Sequence, residues 1–395
     1  MTQEIESIRA PHIILKYALT NVNPESAERT AMSATKPTLA HVASLAGVSI
    51  STASLAFSES GPIAQATKER VLRAADELGY RGPSALGRQL RSGRSDIVGV
   101  VFNDALKRTF RDPVSIQVLD GVTRTLGERG LGVLLIPGGN HYDSSTGLNP
   151  LLESAAMDAA ILLWGGHEED PAFQTLHQRG VPIVISEGTE VSGSPFVGLK
   201  DRDGIADLTS RLVDQGHTKI GVITLSLNTG SAPGPLSPAV VDKLESYMSH
   251  PSHGRLRGVY DAGVIPVAIW EARGSLVEEG IEAARYLLDP SHYENSEDVP
   301  TAIVAQSDLL AAGAVHGARE MGLKVPDDVS VCGFDGVDLP WLGPDVLTSV
   351  KQPLAYKGES LAHCVIDMLA GDIAEPTYLD VEFIQGTTSG PAPKR

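Results

Sequence analysis

Residues 38–94 constrain the fold of this chain more tightly than any other stretch, because they order three short helical patterns, one tight turn and a basic segment. Thr38 supplies a capping hydroxyl, apolar residues then recur at helical spacing from Leu39 to Ala46, and Gly47 can end a helix and turn the chain. Ser49 can cap a second helix at once. Ile50 to Phe57 is short and rich in small residues, as expected of a helix that lies closely across a partner and shows its first turn to solvent. A third helical pattern runs from Thr67 to Tyr80. The spacing predicts a helix-turn-helix head.

Charge supports this reading. The chain is acidic, with a net charge of −17. Yet residues 36–95 carry eight basic residues, Lys36, Lys68, Arg70, Arg73, Arg81, Arg88, Arg91 and Arg94, against the acidic Glu59, Glu69, Asp76 and Glu77. A basic head on an acidic body suits a protein that touches nucleic-acid phosphate with one end only, since the charge of the body discourages indiscriminate coating of DNA. A solvated charged face is the alternative for any single arginine, but not readily for their joint segregation.

The run Thr38–Ser49, then Ser51–Ser54, Thr67–Leu72, Glu77–Tyr80, Leu90–Arg94 and Ile97–Val101, resembles the lactose-repressor (LacI/GalR) family. A lone helix-turn-helix match is a weak signal, whereas here the order of head, hinge and sensor can be followed to Pro353. The resemblance implies a fold class of α/β type: a small all-α head, joined by a hinge helix to a two-lobed sensor like the periplasmic sugar-binding proteins, with parallel sheets. The expected segments are a disordered arm (1–37), the DNA-binding head (38–82), hinge and linker (83–95), and an effector-binding and dimerisation domain (96–395). Its N-lobe is expected at about 96–198 and 335–368, and its C-lobe at about 199–334 and 369–395. For residues 1–31 a simpler reading is also open: Met32 begins the short preamble usual for the family, which makes the preceding residues a leader from an upstream start.

The body fits that frame on its own pattern. Short β-rich runs at Ile97–Phe102, Gly132–Ile136, Ala159–Trp164 and Val181–Ile185 are separated by segments long enough for crossover helices. Lys219–Leu225, Val264–Trp270, Ala302–Ala305 and Val329–Phe334 repeat the alternation, and Tyr378–Ile384 adds a last strand. Two parallel-sheet lobes follow, with ligand space beyond the carboxyl ends of their strands. The tail after Gly371 has no leucine heptad, so a tetramer-forming helix seam is not expected. No apolar run approaches a membrane span, and no secretory core is present, which favours a cytoplasmic protein. The two cysteines, Cys332 and Cys364, read as small buried hydrophobes.

The sequence holds no phosphate loop, H-E-x-x-H, G-x-S-x-G or paired C-x-x-C, so neither catalysis nor a cofactor is expected. His217, in a helix-to-strand turn, reads as a structural hydrogen-bonding residue. The remaining alternative is a solute-binding protein for sugar uptake, which shares the two-lobed fold but needs export and has no use for a basic head.

Site residues follow from the resemblance and the chemistry together. Ile50, Ser51 and Thr52 should approach base edges in the major groove, with Ser49 and Ser54 as phosphate or capping groups. Where the family usually carries a guanine-reading arginine this chain has Leu55, which donates nothing; it either touches a thymine methyl or packs in the head. Leu90 matches the leucine that the family inserts into the minor groove, flanked by Arg88 and Arg91, with a linker leucine as the alternative. In the sensor, Arg255 of an Arg-x-x-Gly segment and Asp308 after a strand end are expected to grip a carbohydrate effector. Phe110 and Trp270 supply either apolar faces for it or core packing. The implied partners are double-stranded, near-palindromic operator DNA and a second copy of the chain.

Overall fold

The computed structural model describes residues 37–57, 63–82, 93–102, 106–138, 147–227, 232–240, 251–372 and 374–394. The chain divides into two compact units, 1–92 and 93–395. The expected arm, and the hinge with Arg88, Leu90 and Arg91, lie outside the described residues.

In the first unit, α1 (Leu39–Ala46), α2 (Ile50–Ala56) and α3 (Gln65–Leu78) form the head. Thr38 caps α1 by accepting the His41 amide, the His41 ring accepts the Thr38 amide in return, and Gly47 closes the helix at φ 62°, a left-handed conformation suited to glycine. The Ser49 hydroxyl accepts the Thr52 amide at 3.1 Å and so starts α2, which turns from α1 by 99°. Small residues let these helices approach: Val42, Ala43, Ala46, Ala53, Ala56, Val71, Ala74 and Ala75 make the core. Arg70 of α3 donates through Nε to the Ala46 carbonyl at 3.0 Å, satisfying an otherwise unpaired group at the end of α1.

The second unit opens with β1 (Ile97–Phe102), α4 (Leu106–Thr109), α5 (Pro113–Glu128), β2 (Gly132–Pro137), α6 (Leu151–Ser154), β3 (Ala159–Leu163), α7 (Pro171–Gln178), β4 (Ile183–Ser186) and β5 (Phe196–Leu199). It continues with α8 (Asp201–Asp214), β6 (Ile220–Thr224), β7 (Gly234–Leu236), α9 (Pro251–Asp261), β8 (Ala268–Glu271), α10 (Val277–Leu287), β9 (Ala302–Ala305) and α11 (Asp308–Glu320). Last come β10 (Ser330–Asp335), β11 (Thr348–Lys351), α12 (Leu354–Ala370), β12 (Thr377–Leu379) and β13 (Glu382–Ile384). One sheet has the order β12-β5-β4-β3-β1-β2, the other β13-β11-β10-β9-β6-β8-β7. The first is parallel throughout; the second is parallel except at its edges, where β13 and β7 run antiparallel. β1, β3 and β4 are apolar on both faces, as a sheet covered by helices on both sides requires.

The lobe boundaries differ from the expected ones at two places. Residues 335–351 stay with the second sheet, because β11 continues the parallel ladder of β10 with Cys332 opposite Thr348, and the chain crosses only at Gln352. The single strand expected over Tyr378–Ile384 is two: β12 joins the first sheet beside β5, and after Asp380 and Val381 the chain returns so that β13 pairs with β11. Alternation alone cannot show a strand changing sheets, since both halves are short and half-exposed. The long stretch before α9 contributes β7, paired with β8.

Two close approaches fix the helices. A Cβ at Gly121 would stand 2.2 Å from the Ala355 carbonyl and one at Gly358 2.2 Å from that of Val118, so α5 and α12 meet through bare backbone. In the second lobe Gly258 lies against the Arg202 carbonyl, where a Cβ would stand at 2.4 Å, and this seats α9 on α8. His217 is buried, with Nδ1 2.9 Å from the Thr301 hydroxyl and Nε2 3.0 Å from the Gly390 carbonyl; Nε2 donates, Nδ1 accepts, and the ring ties the C-terminal tail to the second lobe. Cys332 and Cys364 are buried thiols.

Candidate functional site

The head presents one face of α2. Ile50 is 56% exposed and Leu55 37%, while Ala53 and Ala56 of the same helix are buried. Leu55 is thus turned outward rather than committed to the core. Ser51 is exposed, Thr52 and Ser54 are half-buried, and Ser49 shares its hydroxyl with those of Ser51 at 2.7 Å and Thr52 at 2.8 Å. The serine expected at the phosphate therefore also caps the helix, and the outward face offers two apolar side chains beside hydroxyls.

In the second unit a cavity of about 110 Å³ lies between the lobes, at the carboxyl ends of the strands. The first lobe contributes Asp112, Val114 and Trp164; the second contributes Leu225, Arg255, Ser275, Ser307 and Asp335. Gln352, at the crossing, completes it. Three non-glycine residues at strand ends here have positive φ: Trp164 after β3 (54°), Glu187 after β4 (54°) and Asp335 at the end of β10 (128°). Unfavourable backbone concentrated at one place is characteristic of functional clefts. A larger, open depression of about 320 Å³ lies on the first lobe, lined by Arg94, Asp96, Arg129 and the apolar Leu131, Ile366, Leu369 and Ala370.

Polar contacts join the lobes around this cavity. Arg255 is brought in by the glycines that seat α9 on α8; its Nε meets Asp201 at 3.3 Å, Nη1 donates to the Gln306 carbonyl at 2.8 Å, Nη2 reaches Glu187 of the first lobe at 3.5 Å, and the guanidinium lies 3.9 Å from the centre of the Phe334 ring. Lys357 of α12, fully buried, donates to Glu187 and to Gln352. Gln352 in turn donates to Asp335 at 2.7 Å. Burial pushes Asp112 and Asp201 up to about 6, against the pull of Lys357 and Arg255 on the first and of Arg255 on the second. Burial also raises Asp335 well above the ordinary carboxylate range, the Asp308 charge adding to it and Arg255 opposing.

Of the sensor residues expected from sequence, the structure brings only Arg255 into the cavity lining. Asp308 is buried beneath it: Oδ1 accepts the Ser349 hydroxyl at 2.6 Å and Oδ2 the Val337 amide at 2.8 Å, so its acceptors knit α11 to β10 and β11. Its pKa is raised to about 7 by burial. Trp270 packs on Tyr286, ring centres 5.0 Å apart, within the second-lobe core. Phe110 is 49% exposed at the end of α4 and does not line the cavity. The carboxyl groups that do line it are Asp112 and Asp335, the latter ending the next strand, and the aromatic is Trp164. Trp164 had a legible signal, an aromatic closing an apolar strand just before Gly165 and Gly166. Asp112 was masked by its local role as the cap of α5, where it accepts the Val114 amide at 3.0 Å.

A helix-turn-helix unit followed by two parallel-sheet lobes around a polar cleft defines a class: DNA-binding regulators whose second unit has the periplasmic-binding-protein fold. Residues 38–82 match the model for bacterial regulatory proteins of the lacI family, and residues 209–389 that for the periplasmic binding protein-like domain. An HTH-type transcriptional regulator of Mycolicibacterium smegmatis is 30% identical over 90% of this chain and 97% of its own length. CelR of Thermobifida fusca is 31% identical over 88% and 96%. Among solved structures, the CelR–cellobiose complex superposes with TM-score 0.59 at 26% identity, over 89% of this chain and 99% of that one. The lac repressor dimer bound to operator and an anti-inducer shares the fold, with TM-score 0.69 at 20% identity over 90% and 100%. The chain belongs to the LacI family of transcriptional regulators.

Proposed function

We propose that this regulator is a cytoplasmic homodimeric repressor that binds a near-palindromic operator, and that its operator affinity is set by a carbohydrate held between its lobes. The observation that carries the proposal is the interlobe cavity, with Asp112 and Trp164 from one lobe and Arg255 and Asp335 from the other. A ligand touching both lobes alters their relative stability as open and closed arrangements, and a DNA-binding unit on the same chain is then linked to that equilibrium. The resemblance to CelR, solved with cellobiose, supports a sugar. CytR of Escherichia coli, a transcriptional repressor 28% identical over 85% of this chain, supports the sign.

In the head, Ile50, Ser51, Thr52 and Leu55 are the base-facing residues of the proposal, and Ser49 and Ser54 face phosphate. Leu90, with Arg88 and Arg91, remains its minor-groove element. The test is a gel shift with duplexes from the region upstream of the regulator's own gene. A discrete complex at low salt is expected, weakened by Leu90→Ala on the specific site but not on unrelated DNA. No complex, or equal loss on both duplexes, contradicts the proposal or its wedge respectively.

A further inference from the structure

The polar groups that face the cavity are unbalanced in charge. Its own lining holds the carboxylates of Asp112 and Asp335 and the single cation Arg255. That cation is committed: Asp201, Glu187 and the Gln306 carbonyl take its donors, and Phe334 covers one face. Lys357, the other buried cation, is held by Glu187 and Gln352. Outside the lining, Arg111 is paired with Glu278 at 2.8 Å, and Arg108 lies 3.9 Å from Glu279. The remaining polar lining, Ser275 and Ser307, is a pair of hydroxyls 2.9 Å apart, and Gln352 is engaged on both its amide atoms. Among the described residues, carboxyl groups therefore dominate what a ligand meets, one on each lobe, while Arg255 and Lys357 already have carboxylate partners.

Resting on the reading of this cleft as the effector site, we infer that its ligand is a polyol without negative charge, neutral or amine-bearing, and that Asp112 and Asp335 exclude phosphorylated sugars and sugar acids. Hydroxyl or ammonium donors satisfy carboxylate oxygens, and Trp164 offers a ring face to the C–H side of a sugar. An anion would be stripped of water and placed beside the Asp112 carboxylate, with no uncommitted cation among the described lining residues to receive it, a penalty that low local dielectric magnifies. Burial has already raised both aspartates, so an anion enters only with uptake of a proton, and its exclusion strengthens as pH rises above about 6.

The experiment is calorimetric titration of the full chain in 0.3 M salt, which screens phosphate binding to the basic head. The compounds are glucose, galactose, ribose, myo-inositol and glucosamine, with glucose 6-phosphate, ribose 5-phosphate and gluconate as anionic counterparts. At least one neutral or amine-bearing member is expected to bind, at least tenfold more tightly than its anionic counterpart. In Asp112→Asn, which keeps an acceptor for the Val114 amide, that preference should narrow about tenfold. An anionic member that binds as well as its parent overturns the charge rule and leaves the effector cleft standing. A preference undiminished in Asp112→Asn overturns the assignment to this residue. No binding by any member counts against the carbohydrate reading of the cleft, and the charge rule falls with it.

Discussion

Asp308 illustrates how a chemically apt residue can serve structure instead. An aspartate after a strand end has the acceptors a sugar needs, but the first turn of α11 is drawn so tightly onto β10 that a Cβ at Gly333 would stand 2.3 Å from its Oδ1. With both oxygens accepting from Ser349 and Val337, its removal strands one buried and one half-buried donor. Asp308→Ala should destabilise the second unit by about 3 kcal/mol, measured by urea unfolding; an unchanged midpoint contradicts the structural assignment. Asp112 is predicted to act through pH. Its folded pKa, raised from 3.8 to about 6 by burial against the pull of Lys357 and Arg255, means that the folded chain retains a proton that the unfolded chain releases. This contribution is most favourable at low pH, declines as pH rises from about 4 to 6, and is flat above. Asp112→Asn should remove it, so that stability falls between pH 4.5 and 7 by about 2 kcal/mol less than in the parent chain. Identical pH profiles contradict the burial argument.

At the scale of elements, the glycine contacts give the sharpest prediction. Gly358→Ala puts a methyl into the Val118 carbonyl, with no flexible side chain to give way. It should lower stability by about 2–3 kcal/mol, read as a fall in the melting temperature of the second unit; a neutral effect means that α5 and α12 are less closely packed than described. Elements with a strong period or cap were legible in the sequence: the three head helices and the apolar strands β1, β3, β9 and β10 fall where spacing put them. What escaped was short or depended on tertiary context. β5 is interrupted by Gly198 and β11 is polar at Thr348, Ser349 and Lys351, so neither reads as an apolar run, and the change of sheet between β12 and β13 is a property of the lobes rather than of the segment. Lys357 shows the same limit within the site, because a lysine on a helix reads as solvent-exposed until Glu187 and Gln352 are seen to enclose it. Trp164, by contrast, stood at a legible strand end and was passed over for Trp270.

For the whole molecule, the proposed function joins the local charge to the cleft: a basic head meets DNA, and a ligand between the lobes would set how well it does so. Once calorimetry identifies a ligand, that ligand should change operator affinity by roughly 5- to 150-fold, and operator must change ligand affinity by the same factor. An unequal pair of factors contradicts direct linkage. A chain beginning at Met32 should bind operator as tightly as the full chain; a clear loss would assign residues 1–31 a role in DNA binding. Leu55 makes sequence preference the most exposed part of the account, since it replaces a guanine-reading side chain with an outward apolar one. The most direct measurement is therefore a fluorescence-anisotropy titration of the full chain against the duplex upstream of its own gene and against a scrambled duplex, at several salt concentrations. The account predicts binding to its own duplex tighter by about 1,000-fold or more, with affinities that fall steeply as salt rises. Equal affinity for the two duplexes, or no binding even at low salt, would contradict it.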